Sequence, residues 1–176
     1  QHELVPCGHA IEARLVAEDP AAGWMPSTGV IEAFSFDVDH DVQGACPRSS
    51  GIRVDSGVAA GSVVGSHYDS LLAKVIAYGS NRASVAASLA RSLRRADLAG
   101  LRTNADALAA ICIEDSFLAG SATTAYLDEH PEVTAARGPE GDDRLMQCLV
   151  ALFAIEHANR SADTVTGFAP SGWRNV

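Results

Sequence analysis

Glu12 and Arg14 are the first residues whose type and spacing could do chemistry. They lie in GHAIEARLVAEDP, Gly8 to Pro20. The stretch alternates with period two, which predicts a strand over residues 8 to 18. Ile11, Ala13 and Leu15 share one face of it, and Glu12 and Arg14 the other. A guanidinium beside a carboxylate has two readings. The plain one is an exposed ion pair, worth at most about 1 kcal/mol. The chemical one is a pre-organised cation that stabilises negative charge developing on a bound oxygen. Motifs for other chemistry are missing. The sequence has no Walker-type phosphate loop, no GxGxxG after a strand, no GxSxG and no HExxH. By local motif alone it is not a self-contained enzyme.

The elements that must hold these residues come from one domain's worth of chain, 176 residues. Hydrophobic residues are 47% and aromatics only 6%, so alanine supplies much of the apolar share and favours close approach of elements. With 22 acidic against 13 basic residues the net charge is −9, which argues against a general nucleic-acid binder. The four cysteines, Cys7, Cys46, Cys112 and Cys148, show neither CxxC nor zinc spacing. They read as free thiols in a reducing cytoplasm, and no metal site is expected. The run Leu149 to Ile155 is too short to span a bilayer, and QHELVPCG is not a signal peptide.

Further strands are expected over residues 30–36, 52–58 and 70–79. Residues 17–29 and 37–50 are turn-rich. From Ser80, a predicted N-cap, the period becomes helical, with Val85, Ala86, Leu89, Ala90, Leu93 and Ala96 on one stripe. Thr103 is expected to cap a second helix with Leu108, Ile111 and Cys112 inward. Asp115 to Gly120 reads as a turn, and TTAYLDEH as a short element stopped by Pro131. Residues 132–141 have a linker's composition, and a third helix is predicted over residues 142–159, followed by an irregular tail. Strands precede helices, so the expected class is α+β: a mostly antiparallel sheet with packed helices and an extra C-terminal helix.

Several motifs then fall in one order: GHAIEARLVAEDP, MPSTG, GIRVDSGV, HYDSLLAKVIAYGSNR, LAGLRTN and TTAYLD. Together, over roughly residues 8 to 128, they resemble the C-terminal subdomain of biotin carboxylase, the ATP-dependent component of biotin-dependent carboxylases. The segment Asp37 to Ser50 departs from the family, being longer and more acidic than its short glycine-rich turn.

The resemblance implies a division into a subdomain, residues 1–131, and a linker and helix, residues 132–176, leading toward the next domain. It implies that Arg14 faces biotin and bicarbonate and stabilises charge on the ureido oxygen. It puts Asp69 beside that arginine and Thr124 near an adenine pocket. Glu12 and Tyr68 become positioning candidates, and Arg53 an interface residue of a homodimer. The cofactors implied are biotin on a carrier domain, ATP and magnesium. The ATP-grasp part of the family precedes the GHA motif, so a chain starting at QHELVPC reads as an excised piece, expected to bind none of these alone and to be inactive alone. Its implied partners are that ATP-grasp part, the biotin carrier domain and the carboxyltransferase. The segment from residue 132 is similar to the corresponding region of acyl-CoA carboxylase chains. The competing reading is a non-catalytic dimerisation and tethering module.

Overall fold

The computed structural model describes residues 7–37, 50–135 and 141–162. The chain divides into two compact units, Gln1–Ala136 and Arg137–Val176.

The first unit is α+β. Its largest sheet has three antiparallel strands in the order β1 (His9–Val16), β8 (Leu71–Gly79), β6 (Gly51–Ser56). β8 is paired on both edges, and β1 keeps one edge free within the sheet. Between them in sequence come β2 (Glu18–Asp19), β3 (Met25–Pro26), β4 (Gly29–Val30), β5 (Ala33–Ser35) and β7 (Val63–Val64). β9 (Asp97–Ala99) pairs with β5, and β4 pairs with β7. Helix α1 (Arg82–Arg95) is followed by α2 (Ala105–Ile111), α3 (Asp115–Ala119) and α4 (Tyr126–Glu129).

Strand alternation builds the core. Ala13 on β1, Ile52 on β6 and Val75 and Ala77 on β8 meet Val85, Ala86, Leu89, Ala90 and Leu93 of α1. Small side chains at Ala13, Ala77, Ala86 and Ala90 let helix and sheet approach closely, as the alanine-rich composition implied. A second cluster joins Leu15, Ala17, Ile31, Leu72, Ala73 and Ala105 beneath the end of β1.

Several local expectations are corrected. The cap of α1 is Asn81, whose side chain accepts from the Ser84 N–H at 2.9 Å, not Ser80. Asp115–Ala119 is a short helix ended by Gly120 in the left-handed region, not a turn. The strand expected over residues 30–36 splits in two because the chain changes partner there. The Ile31 N–H bonds the Ser62 carbonyl and the Glu32 N–H bonds the Ala99 carbonyl. The linker expected from residue 132 instead begins with a 3-10 helix, Pro131–Val133, that buries Val133 against Ala110 and Tyr126. Composition cannot show that one valine is enough to dock a segment. Cys7 is disulfide-bonded, so the expectation of four free thiols fails there; linear spacing carries no information on which side chains meet. Cys112 and Cys148 are free. The excursion expected over residues 37–50 lies almost wholly outside the described residues.

The second unit contributes α5 (Gly141–Ala162), whose Leu145, Leu149, Leu152 and Phe153 are exposed. No helix among the described residues is long and apolar enough to cross a membrane.

Gly100 sits at φ +100°, and a Cβ there would overlap the Val30 carbonyl oxygen and crowd the Glu32 nitrogen. Gly100→Ala is therefore expected to lower stability by more than about 1 kcal/mol, read as a fall in the urea midpoint at unchanged m-value. Burial pushes the Cys112 thiol from 9.0 up to about 11, against the opposing pull of Arg94 and Arg82. Below pH 9 the thiol is neutral in both folded and unfolded chains. Between about pH 9 and 11 only the unfolded chain ionises, so this contribution to stability is lost across that window. At pH 8, iodoacetamide is expected to label exposed Cys148 in the native chain and to reach buried Cys112 only after denaturation, as read by peptide mass.

Candidate functional site

The end of β1 turns sharply into a small loop system, and the cleft forms there. Ala17 N–H bonds the Ser70 carbonyl at 2.8 Å, and Ser27 N–H bonds the Ala17 carbonyl at 2.8 Å. These two bonds draw Pro26–Thr28 and the 64–70 loop toward the tip of β1. The turn between β2 and β3 has its own devices. The Asp19 carboxylate accepts from the Ala21 N–H at 3.0 Å, and the Trp24 N–H reaches the Asp19 carbonyl at 2.8 Å. Gly23 and Trp24 both take left-handed φ values, 66° and 63°. For a tryptophan this is a strained backbone, held by the tight turn around it.

The result is a cleft of about 480 Å³ whose walls include Arg14, Glu18, Ser27, Ser66, Tyr68 and Asp69. Arg14 stands opposite Lys74 of β8 and is exposed. Among the described residues, nothing forms a side-chain hydrogen bond or ion pair with its guanidinium. The carboxylates near it are engaged otherwise. Asp69 accepts from the Leu71 N–H at 2.7 Å, and Glu18 accepts from the Ser70 hydroxyl at 2.5 Å. Glu12 pairs with Lys74 at 3.8 Å, not with Arg14. Lys74 stands directly opposite Arg14 and reaches diagonally across the strand pair to Glu12.

Arg14, Tyr68 and Asp69 are thus gathered at one cleft. Tyr68 is 91% exposed. Glu12 lies beside the cleft on the same face of β1. Thr124 is exposed in the turn before α4 and does not line this cleft. Arg53 is exposed on β6 and pairs with Asp55 at 2.8 Å. The sequence reading missed the Glu18–Ser70 bond, whose partners lie 52 residues apart. It also missed that Glu114, His130 and Glu132 bring their ligand atoms within 4.8 Å of one another. His130 and Glu132 already pair at 2.9 Å.

What the arrangement can do is present a positive charge, mounted on a well-held strand, to a small anionic or polar group entering the cleft. One hydroxyl–carboxylate pair, Ser70 with Glu18, also lies on its wall.

Comparison with known proteins gives the family. Residues 12–129 match the family model for the biotin carboxylase C-terminal domain. Pyruvate carboxylase 1 of Caenorhabditis elegans is 40% identical over 134 residues, covering 76% of this chain and 11% of that protein. The biotin carboxylase of Halalkalibacterium halodurans is 34% identical over 139 residues, covering 79% of this chain and 28% of that protein. Among solved structures, the biotin carboxylase subunit of a pyruvate carboxylase superposes with TM-score 0.66 at 34% identity, covering 75% of this chain and 27% of that one. The biotin carboxylase domain dimer of Hydrogenobacter thermophilus 2-oxoglutarate carboxylase, solved with MgADP, ADP and bicarbonate, gives TM-score 0.64 at 32% identity over 75% of this chain and 27% of that one. The chain thus spans about a tenth to a quarter of the length of these relatives.

The two carboxylate contacts are expected to differ in weight. Glu12→Gln should change unfolding free energy by less than about 1 kcal/mol, since its partner is exposed. Ser70→Ala should cost about 1.5–3 kcal/mol, because it strips a part-buried carboxylate of a hydroxyl donor. Denaturant titration of both variants measures the contrast.

Proposed function

The chain belongs to the biotin carboxylase C-terminal domain family, and from that premise we propose that it supplies Arg14 to the site where a biotin-dependent carboxylase carboxylates biotin. The observation that carries this reading is that the guanidinium of Arg14 lines a cleft with no hydrogen-bond or ion-pair partner among the described residues, while the carboxylates lining the same cleft are bonded elsewhere. Biotin supplies a ureido nitrogen that becomes nucleophilic as negative charge develops on the ureido oxygen. Arg14 stabilises charge at that oxygen, or on bicarbonate beside it, through charge-assisted N–H bonds. The strand end fixes the backbone from which the guanidinium reaches, which reduces the reorganisation needed. Ser70 keeps the end of the 64–70 loop against the tip of β1 through its carbonyl, Asp69 closes the turn into β8, and Tyr68 at the mouth contacts whatever enters. The residues present fit a small ureido or carboxylate group. ATP and magnesium are assigned to the ATP-grasp part of the full-length enzyme, the partner that covers this cleft. The biotin carrier domain and the carboxyltransferase complete the reaction cycle, and the full enzyme is read as a homodimer with Arg53 at its contact.

Carboxylation of biotin is common to the pyruvate, methylcrotonoyl-CoA and acyl-coenzyme A carboxylases that this chain resembles. The further assignment to an acyl-CoA carboxylase rests on the segment from residue 132 alone. The exposed apolar side chains of α5 favour a second role for that segment, tethering to another domain of the enzyme.

In the full-length carboxylase, Arg14→Ala is expected to remove roughly 2–4 kcal/mol of transition-state stabilisation from biotin carboxylation, a fall in kcat of about thirtyfold to a thousandfold. Unchanged turnover would leave the region as scaffold. The 176-residue chain alone is expected to show no bicarbonate-dependent ATP cleavage with free biotin; a rate above background contradicts that part of the proposal.

A further inference from the structure

The chain carries one buried polar side chain whose bonds all run to the backbone around Arg14. Asn104 is 5% exposed. Its Oδ1 accepts from the Val16 N–H at 2.9 Å, and its Nδ2 donates to the Arg14 carbonyl at 3.1 Å. Its own N–H donates to the Val16 carbonyl at 3.3 Å. All three contacts fall on the edge of β1 away from β8, so a single residue satisfies backbone groups that a neighbouring strand would otherwise pair. They also straddle the register shift between Leu15 and Val16, where the β1–β8 ladder is irregular.

Asn104 does this against its local preference. It occupies the N-cap position of α2, where an asparagine side chain ordinarily accepts from the first helical N–H groups. Here it makes no cap bond, and Thr103 Oγ1 reaches the Ala105 N–H at only 3.4 Å. A residue that gives up a local bond to make distant ones marks a place where another constraint wins.

We propose that Asn104 is the positioning residue of Arg14. It fixes the Arg14 carbonyl and the Val16 amide together, which sets the backbone torsions of residues 14–16 and so the direction in which the guanidinium leaves the strand. β8 pairs Arg14 with Lys74, but its ladder becomes irregular immediately beyond, between Leu15 and Val16. The inference rests on the reading that Arg14 serves biotin carboxylation, and it assigns to Asn104 no contact with substrate.

The test is a double-mutant cycle in the full-length carboxylase, assayed for biotin carboxylation with saturating MgATP. Asn104→Ala is expected to lower kcat tenfold or more with MgADP affinity within twofold of the unaltered enzyme. In an Arg14→Ala background, the same substitution is expected to lower kcat less than threefold, because there is no guanidinium left to orient. Asn104→Asp, similar in shape, keeps an acceptor for the Val16 N–H and loses the donor to the Arg14 carbonyl. It serves as the partner in the cycle if Asn104→Ala does not fold, with the same expected pattern. Losses that multiply in full across the two sites would overturn the proposal, since Asn104 would then act on the fold at large. So would full activity in the Asn104 variants alongside a large Arg14→Ala loss, an outcome that leaves the role of Arg14 standing. No loss with Arg14→Ala removes the underlying reading instead.

Discussion

The strand that bears Arg14 is held from both sides, and the cleft depends on that. β8 pairs one edge of β1 along its length, through Val75 opposite Ala13 and Lys74 opposite Arg14. The other edge meets Asn104, which ties α2 to the last residues of the strand. The hydrophobic clusters on either side of this point serve the same end. Leu15 and Val75 are fully buried, so the side chains flanking Arg14 on the inner face cannot shift without opening the core. A long, flexible cation is thus mounted on a part of the chain that has little freedom left.

Charge arrangement completes the effect. A lone arginine in an acidic chain is easily neutralised by a neighbouring carboxylate. Here each nearby acid has a different partner: Glu12 has Lys74, Asp69 the Leu71 amide, Glu18 the Ser70 hydroxyl. These bonds do two things at once. The Asp69 and Glu18 bonds pin loops that form the cleft walls, and all three leave the guanidinium to act on whatever enters. Had Glu12 held Arg14 directly, the cation would be more rigid but its field at a bound oxygen would be weaker.

Much of this was legible in sequence. Period-two alternation located β1, β6 and β8, and the apolar stripe of α1 was read correctly down to Val85, Leu89 and Leu93. These signals survive because they are local: each residue's face follows from its neighbours. What was lost depends on residues far apart. The sequence places the cap of α2 at Thr103 and assigns Asn104, the actual N-cap residue, no role; the partners of its side chain lie 88 and 90 positions away. The break at Ile31 comes from a change of pairing partner between Ser62 and Ala99, which no window around residue 31 contains. Glu12 looked like the natural partner of Arg14 because they share a face, yet it pairs with Lys74, which the facing strand supplies from far along the chain. Cys7 carries no local sign of its disulfide.

The central claim is that a positive fork at one point of the cleft lowers the barrier to biotin carboxylation, and chemical rescue tests it most directly. In full-length enzyme with Arg14→Ala, the truncated side chain leaves room for a free guanidinium ion in the same cleft. The account predicts that added guanidinium restores part of the lost carboxylation rate with saturable dependence, while sodium at equal ionic strength does not. A deficit that guanidinium leaves untouched, or that sodium repairs equally well, would contradict it.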